Sequence, residues 1–197
     1  MANSNAPFGF SPEGVVSGSP NFKLSTRLIA STNGTAIFKG DAVQAVQSSD
    51  TGYIIQATNS SQQIVGVFWG CKYLSVSMGR TAWSPYWPGS DASGDVTAYV
   101  ITDPAQQFVV QAGSAAIGVS KLNLNVALNV GTGNTTTGLS GMYVENAAAT
   151  STLPFIITGF VQNPTGANGT DITSAYNWVV VGFNSQFLHA GQTAITA

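Results

Sequence analysis

The chain has 197 residues, of which only 7% are charged, with a formal net charge of −2; an ordinary soluble domain is about 25% charged. Six Lys and Arg, scattered from Lys23 to Lys121, form no basic stripe and exclude electrostatic nucleic-acid binding, and the single cysteine excludes an intrachain disulfide framework. A hydrophobic content of 44% with 10% aromatics excludes polyelectrolyte disorder. So few charges leave Ser, Thr, Asn, Gln and Gly, or partner subunits, to cover the outside, which suits a protein that packs against other proteins.

Taken in chain order, residues 1–22 read as an extended N-terminal arm. Pro7, Pro12 and Pro20, with glycines at 9, 14 and 18, break any helix. The arm carries two aromatics, Phe8 and Phe10, as candidate anchors. With little to pack on in its own chain, it is expected to be mobile or to lie along a neighbour. It shows neither a basic start nor an apolar h-region, so no secretory signal is expected. Residues 23–188 then read as one all-β domain, a jelly-roll-like sandwich or barrel. Short β-prone runs fall at 26–31, 36–39, 42–47, 52–57, 64–74, 96–102, 107–112, 124–130, 141–145, 155–162 and 176–183. Turn clusters separate them, among them Asn33-Gly34, Lys39-Gly40-Asp41, Pro88-Gly89 and Asn168-Gly169. Continuous apolar runs at 155–157 and 179–181 predict central strands buried on both faces, and are far shorter than the roughly 20 residues that span a bilayer. The stretch 111–122 is the best helical candidate, weakened by Gly113 and Gly118. Residues 131–141 read as a flexible connector and 189–197 as a C-terminal tail.

Reactive chemistry is scarce. His189, the only histidine, stands in the tail without a second imidazole. Cys71 lies in an apolar strand and reads as a buried, inert thiol. Asp91, Asp95 and Asp103 form the best cation candidate, but an EF-hand count from Asp91 meets Val96 and Thr102 where Gly and Glu are needed, so Asp-capped turns are the plainer reading. Gly131-Thr132-Gly133-Asn134 lacks the lysine of a phosphate loop. No catalytic residue, metal or cofactor is expected, and no enzyme activity. The unusual feature is the run Trp83-Ser84-Pro85-Tyr86-Trp87-Pro88-Gly89. Trp83, Tyr86 and Trp87 serve there as protein-interface anchors, as a sugar-stacking platform, or as a lid on the core with the indole N–H reaching a backbone carbonyl.

Several blocks in order carry a resemblance: Met1-Ala2-Asn3-Ser4-Asn5-Ala6-Pro7-Phe8-Gly9-Phe10, Asn21-Phe22-Lys23-Leu24, Phe38-Lys39-Gly40-Asp41-Ala42-Val43, Ile64-Val65-Gly66-Val67-Phe68-Trp69-Gly70-Cys71, Tyr86-Trp87-Pro88-Gly89-Ser90-Asp91 and Asp95-Val96-Thr97-Ala98-Tyr99-Val100. Together the sequence resembles the capsid cement, or decoration, proteins of short-tailed double-stranded DNA bacteriophages. The resemblance implies a non-enzymatic jelly-roll-like protein, made in the host bacterial cytoplasm and carried on the outer surface of the virion capsid. Its implied partners are the major capsid protein and copies of itself, with neither nucleic acid nor membrane. Phe8, Phe10, Trp83, Tyr86 and Trp87 are the candidate interface. On this reading, deleting residues 1–20 leaves a folded core and weakens shell binding. The alternative is a carbohydrate-binding β-module of a phage fibre or adhesin, using Trp83, Tyr86 and Trp87.

Overall fold

The computed structural model describes residues 2–15, 24–46, 52–59, 63–162, 164, 168–188 and 191. Among them are twelve strands: β1 (Ser11–Val15), β2 (Leu24–Ile29), β3 (Ala42–Ala45), β4 (Ile54–Gln56), β5 (Gly66–Ser75), β6 (Arg80–Ser84), β7 (Val96–Ile101), β8 (Gln106–Gln111), β9 (Asn125–Asn129), β10 (Tyr143–Ala148), β11 (Phe155–Phe160) and β12 (Trp178–Phe183). Sheet I runs β1-β8-β12-β11-β9-β10; sheet II runs β2-β7-β5-β3-β4, with β6 also paired to β5. Every strand pair is antiparallel. The two sheets pack face to face, so between the expected sandwich and barrel the chain forms a sandwich. The valine run of β12 lies between β8 and β11, with Val179, Val180 and Val181 all buried. Burial on both faces explains why it reads as continuous rather than alternating. The 111–122 stretch forms only a single 3₁₀ turn at Val119–Lys121.

There are two cores, one on each face of sheet II. The first lies between the sheets and is supplied mostly by sheet I: Phe108, Val110, Val126, Leu128, Phe155, Ile157, Val179, Val181 and Phe183. From the strands of sheet II it takes Ala42, Val67 and Ile101, which sit at one end of that sheet. The second core lies under the opposite face and takes Ile29, Val43, Ile54, Phe68, Cys71, Tyr73, Val96, Ala98 and Val100. Loops close it. Ile37 and Trp87 form an antiparallel bridge, donating to each other's carbonyls at 2.9 and 2.8 Å. The run 36–39, expected as a strand, is therefore part of a lid. The 131–141 connector is an ordered turn in which the Asn134 carboxamide oxygen accepts from the Thr136 and Thr137 amides at 2.9 and 3.1 Å.

The described part of the N-terminal arm has ample partners within its own chain, contrary to the expectation of a free segment. Ser11–Val15 pair with β8 at the edge of sheet I. Phe10 is 1% exposed and stacks on Phe155 with centroids 4.3 Å apart. Gly9, at φ +76°, makes the approach possible, because a Cβ there would lie 2.4 Å from that of Ser140. The physical reason is that sheet I leaves both an edge and a core position unfilled without these residues. Further along, Asn3 is buried and its amide donates to the carbonyls of Asp171 and Ala175 at 2.9 and 3.0 Å, pinning the turn over 168–176.

Within that turn Asp171 accepts from the Thr173 hydroxyl at 2.7 Å, the Ser174 hydroxyl at 2.8 Å and the Thr173 amide at 3.1 Å. These bonds, the Thr173 hydroxyl foremost, bring its carboxyl down to about 2 from the ordinary 3.8. A depressed folded value means that the bonds hold the turn fully above about pH 3.8 and release it as the pH falls through about 2. A carboxyl-detected NMR titration is expected to place the Asp171 midpoint near 2; a midpoint at the ordinary aspartate position would contradict this network.

Candidate interaction surface

Because sheet I covers one end of sheet II, the other end of that face meets solvent. Register fixes what lies there. Trp83 pairs with Lys72, Lys72 with Thr97 and Thr97 with Leu28, so these four side chains form one row across β6, β5, β7 and β2. The neighbouring rows place Tyr99 opposite Thr26 and Leu74 opposite Thr81 on the same face. Trp83 is 67% exposed and lies parallel to Tyr99 at 5.8 Å between centroids. The Lys72 ammonium sits 5.0 Å from the Trp83 ring, and that of Lys39 only 3.8 Å from Trp69. Leu24, Trp69, Trp83, Pro85 and Tyr99 line a shallow groove of about 460 Å³ here. The β5–β6 hairpin extends the apolar strip through exposed Leu74, Val76 and Met78. A contiguous exposed apolar face with aromatic anchors has the character of a docking surface. Ammonium groups are stacked on its rings, and cation–π contacts of this kind orient a cation without a carboxylate.

The five residues singled out from sequence separate into distinct environments. Trp83 belongs to this face. Trp87 does not: it is fully buried in the second core, edge-on to Tyr73 at 5.2 Å, with its indole N–H donating to the Asn33 carbonyl at 3.2 Å. Alternation along the run explains the split, since β6 points Ala82 inward and Trp83 outward before the chain turns at Pro85. Tyr86 is half-buried and stacks on Phe38 at 5.3 Å. Phe10 fills the inter-sheet core. Phe8 is half-buried, edge-on to Trp178 at 5.2 Å, in a separate groove on sheet I lined also by Val109 and Val161. Phe10 and Trp87 are therefore unavailable as interface anchors, because burying them in the core is what completes it. Tyr99, Leu28 and Lys72 belong to the open face and went unpredicted; their outward positions follow from pairing partners far along the chain.

The reactive candidates sit as follows. Cys71 is buried, its thiol pushed up to about 12 by desolvation, and it donates to the Tyr86 carbonyl at 3.6 Å. A thiol so protonated is a poor nucleophile. Asp91 accepts from the Ser75 hydroxyl at 2.7 Å and the Ser77 amide at 2.9 Å. Asp95 accepts from the Tyr53 hydroxyl at 2.7 Å, and Asp103 from the Ala105 amide at 3.0 Å. The three carboxylates thus serve three different turns. Among the described residues no three His, Cys, Asp or Glu side chains are grouped to hold a metal ion. His189 lies outside the described residues. No described helix is long and apolar enough to cross a membrane.

Fold and surface together define an all-β sandwich with an uncovered aromatic face on one of its sheets. No family model, curated protein or solved structure matches the chain.

Proposed function

We propose that the chain is a structural virion protein that binds the outside of an icosahedral bacteriophage capsid and bridges neighbouring major capsid protein subunits. The observation that carries the reading is the uncovered end of sheet II, where Trp83 stands 67% exposed among Tyr99, Leu24 and Leu28. The sequence blocks that resemble capsid cement proteins support it, as does a charge content of 7%, which lets copies lie close together with little repulsion. Each contact needs only a standard interface of about 800 Å² per partner. Bridging two or more subunits makes later contacts intramolecular and raises apparent affinity by about 10² to 10⁴. A local opening of the shell then has to break several bridges together.

The alternative reading, a carbohydrate-binding module, draws on the same face, but of its three chosen rings only Trp83 offers an open surface. A cryo-EM map of the particle is expected to show this chain in many ordered copies outside the shell, with the Trp83 face against a capsid subunit or a second copy. A map lacking it on the exterior would overturn the proposal, and so would glycan-array binding that vanishes in Trp83→Ala.

A further inference from the structure

A second site lies at the curled end of sheet I. Beyond β8 the chain bridges the edge strand β10, Ala112 with Val144, and the Gly113 amide donates to the Val144 carbonyl at 2.9 Å. The Tyr176 amide donates to the Gly113 carbonyl at 3.0 Å, bringing the 168–176 turn against the same edge. Asn5, Pro7, Gly113, Tyr143, Glu145 and Tyr176 enclose a half-open pocket of about 300 Å³, its lining polar and apolar in equal measure. That is the small end of the range for ligand sites and suits a single side chain.

Two departures from regular backbone and one close approach converge on it. Tyr176 holds φ +61°, the one aromatic among the described non-glycine residues in the left-handed region. Directly after Glu145 the β9–β10 register shifts, with Asn146 at φ +58°. At Gly113 a Cβ would lie 2.7 Å from Glu145 Oε1, so the bare glycine leaves the carboxylate room to settle over the main chain. Left-handed aromatic residues and bulges are costly, and they concentrate where a fold must aim a side chain. Here each one aims a pocket wall. The N-terminal segment holds the arrangement in place, with the Gln111 amide donating to the carbonyls of Ser4 and Tyr176 at 2.9 and 3.2 Å.

We propose that this pocket binds the guanidinium group of an arginine side chain on a partner protein, with Glu145 as counter-charge and Tyr143 and Tyr176 as walls. No Lys or Arg lines the pocket among the described residues. Of the chain's six cations, Arg27, Lys39 and Lys72 are placed over Phe187, Trp69 and Trp83 instead. Glu145 shares a hydrogen bond with the Tyr143 hydroxyl but meets no cation among the described lining residues, so its charge faces an outside cation, and the flanking phenol rings favour a flat, delocalised one. A neutral sugar would leave the carboxylate charge uncompensated. A free amino acid would bring a carboxylate that no basic group of the pocket pairs, so a peptide-linked side chain is the occupant. Burial, and then the neighbouring Glu145 charge, raise the Tyr143 phenol above its ordinary 10.0 and keep it a protonated wall. The site stands independently of the capsid reading.

The test is an NMR titration of the full chain with N-acetyl-arginine N-methylamide, its citrulline counterpart and free L-arginine. The arginine amide is expected to shift the amides of 113–114, 143–146 and 176, with the citrulline amide and free arginine at least tenfold weaker. Glu145→Gln, which keeps the shape and removes the charge, is expected to weaken the arginine amide about tenfold or more while leaving the spectrum otherwise folded. Absent shifts, equal binding of the citrulline amide, tighter binding of free arginine, or an unaffected Glu145→Gln would each overturn it. Should that variant fail to fold, the arginine-to-citrulline ratio on the native chain decides alone.

Discussion

Phe10→Ala is expected to destabilise the protein by about 3–5 kcal/mol, as truncation of a fully buried aromatic does. For a domain of this size that lowers the Tm by roughly 6–20 °C. The magnitude follows from where the ring sits. It is 1% exposed, stacked on Phe155 and edge-on to Phe108, whose centroid is 6.2 Å away. Those partners belong to the central strands of sheet I, so the cavity left by truncation has no loop nearby to collapse into it. A free arm would behave differently: its truncation would leave the Tm in place and change only binding to a partner. Thermal and urea unfolding followed by circular dichroism separate the two, and an unchanged midpoint would refute the packing described here. For the same reason, deleting residues 1–20 removes a core side chain and an edge strand together. Such a truncation cannot report on shell binding alone.

The contrast between Phe8 and Phe10 marks what was legible in the sequence and what was not. Gly, Pro and polar residues between 1 and 22 correctly signal non-helical chain, but the partner of β1 is β8, some 95 positions later, and no local pattern carries that pairing. Elsewhere locality sufficed. The run 179–181 is apolar at consecutive positions because its strand is buried on both sides, and this shows in composition alone; 155–157 looks the same in composition, yet β11 alternates, with Ile156 half-buried between buried Phe155 and Ile157. β6 escaped because five residues, two of them Arg80 and Ser84, hold too short an alternation to stand out beside the Pro-rich turn that follows. The open end of sheet II was half visible. An aromatic-rich run at 83–87 announces unusual surface or unusual core, and here it supplies both. The pocket around Glu145 was invisible, since Asn5, Gly113, Tyr143, Glu145 and Tyr176 come from four distant segments and its defining features are backbone angles.

Trp83→Ala and Trp87→Ala are expected to fail in opposite ways, and the pair tests the docking face more sharply than either alone. Trp87 is fully buried, edge-on to Tyr73, and its indole N–H satisfies the Asn33 carbonyl. Its truncation opens the second core beneath the lid and is expected to cost about 3–5 kcal/mol of folding stability. Trp83 projects into solvent from the outer face of β6, beside Tyr99 and Lys72. Its removal forfeits a ring pair and a cation–π contact of about 0.5–1.5 kcal/mol each at most, both on an exposed face where solvent replaces them readily. Stability is therefore expected to change by about 1 kcal/mol or less. If the proposed capsid role holds, binding to capsids is where Trp83→Ala shows: an interface hot spot is worth about 2 kcal/mol or more, roughly thirtyfold per contact. Since bridging multiplies contacts, the loss on intact particles is expected to exceed the loss on isolated capsid subunits. Unfolding midpoints and a particle-sedimentation binding curve, measured on both variants, give four numbers. If Trp83→Ala lowers the unfolding midpoint as far as Trp87→Ala does, the open-face geometry is wrong. A Trp83→Ala protein that is stable and binds particles at native strength leaves the geometry intact and removes this face from the capsid contact.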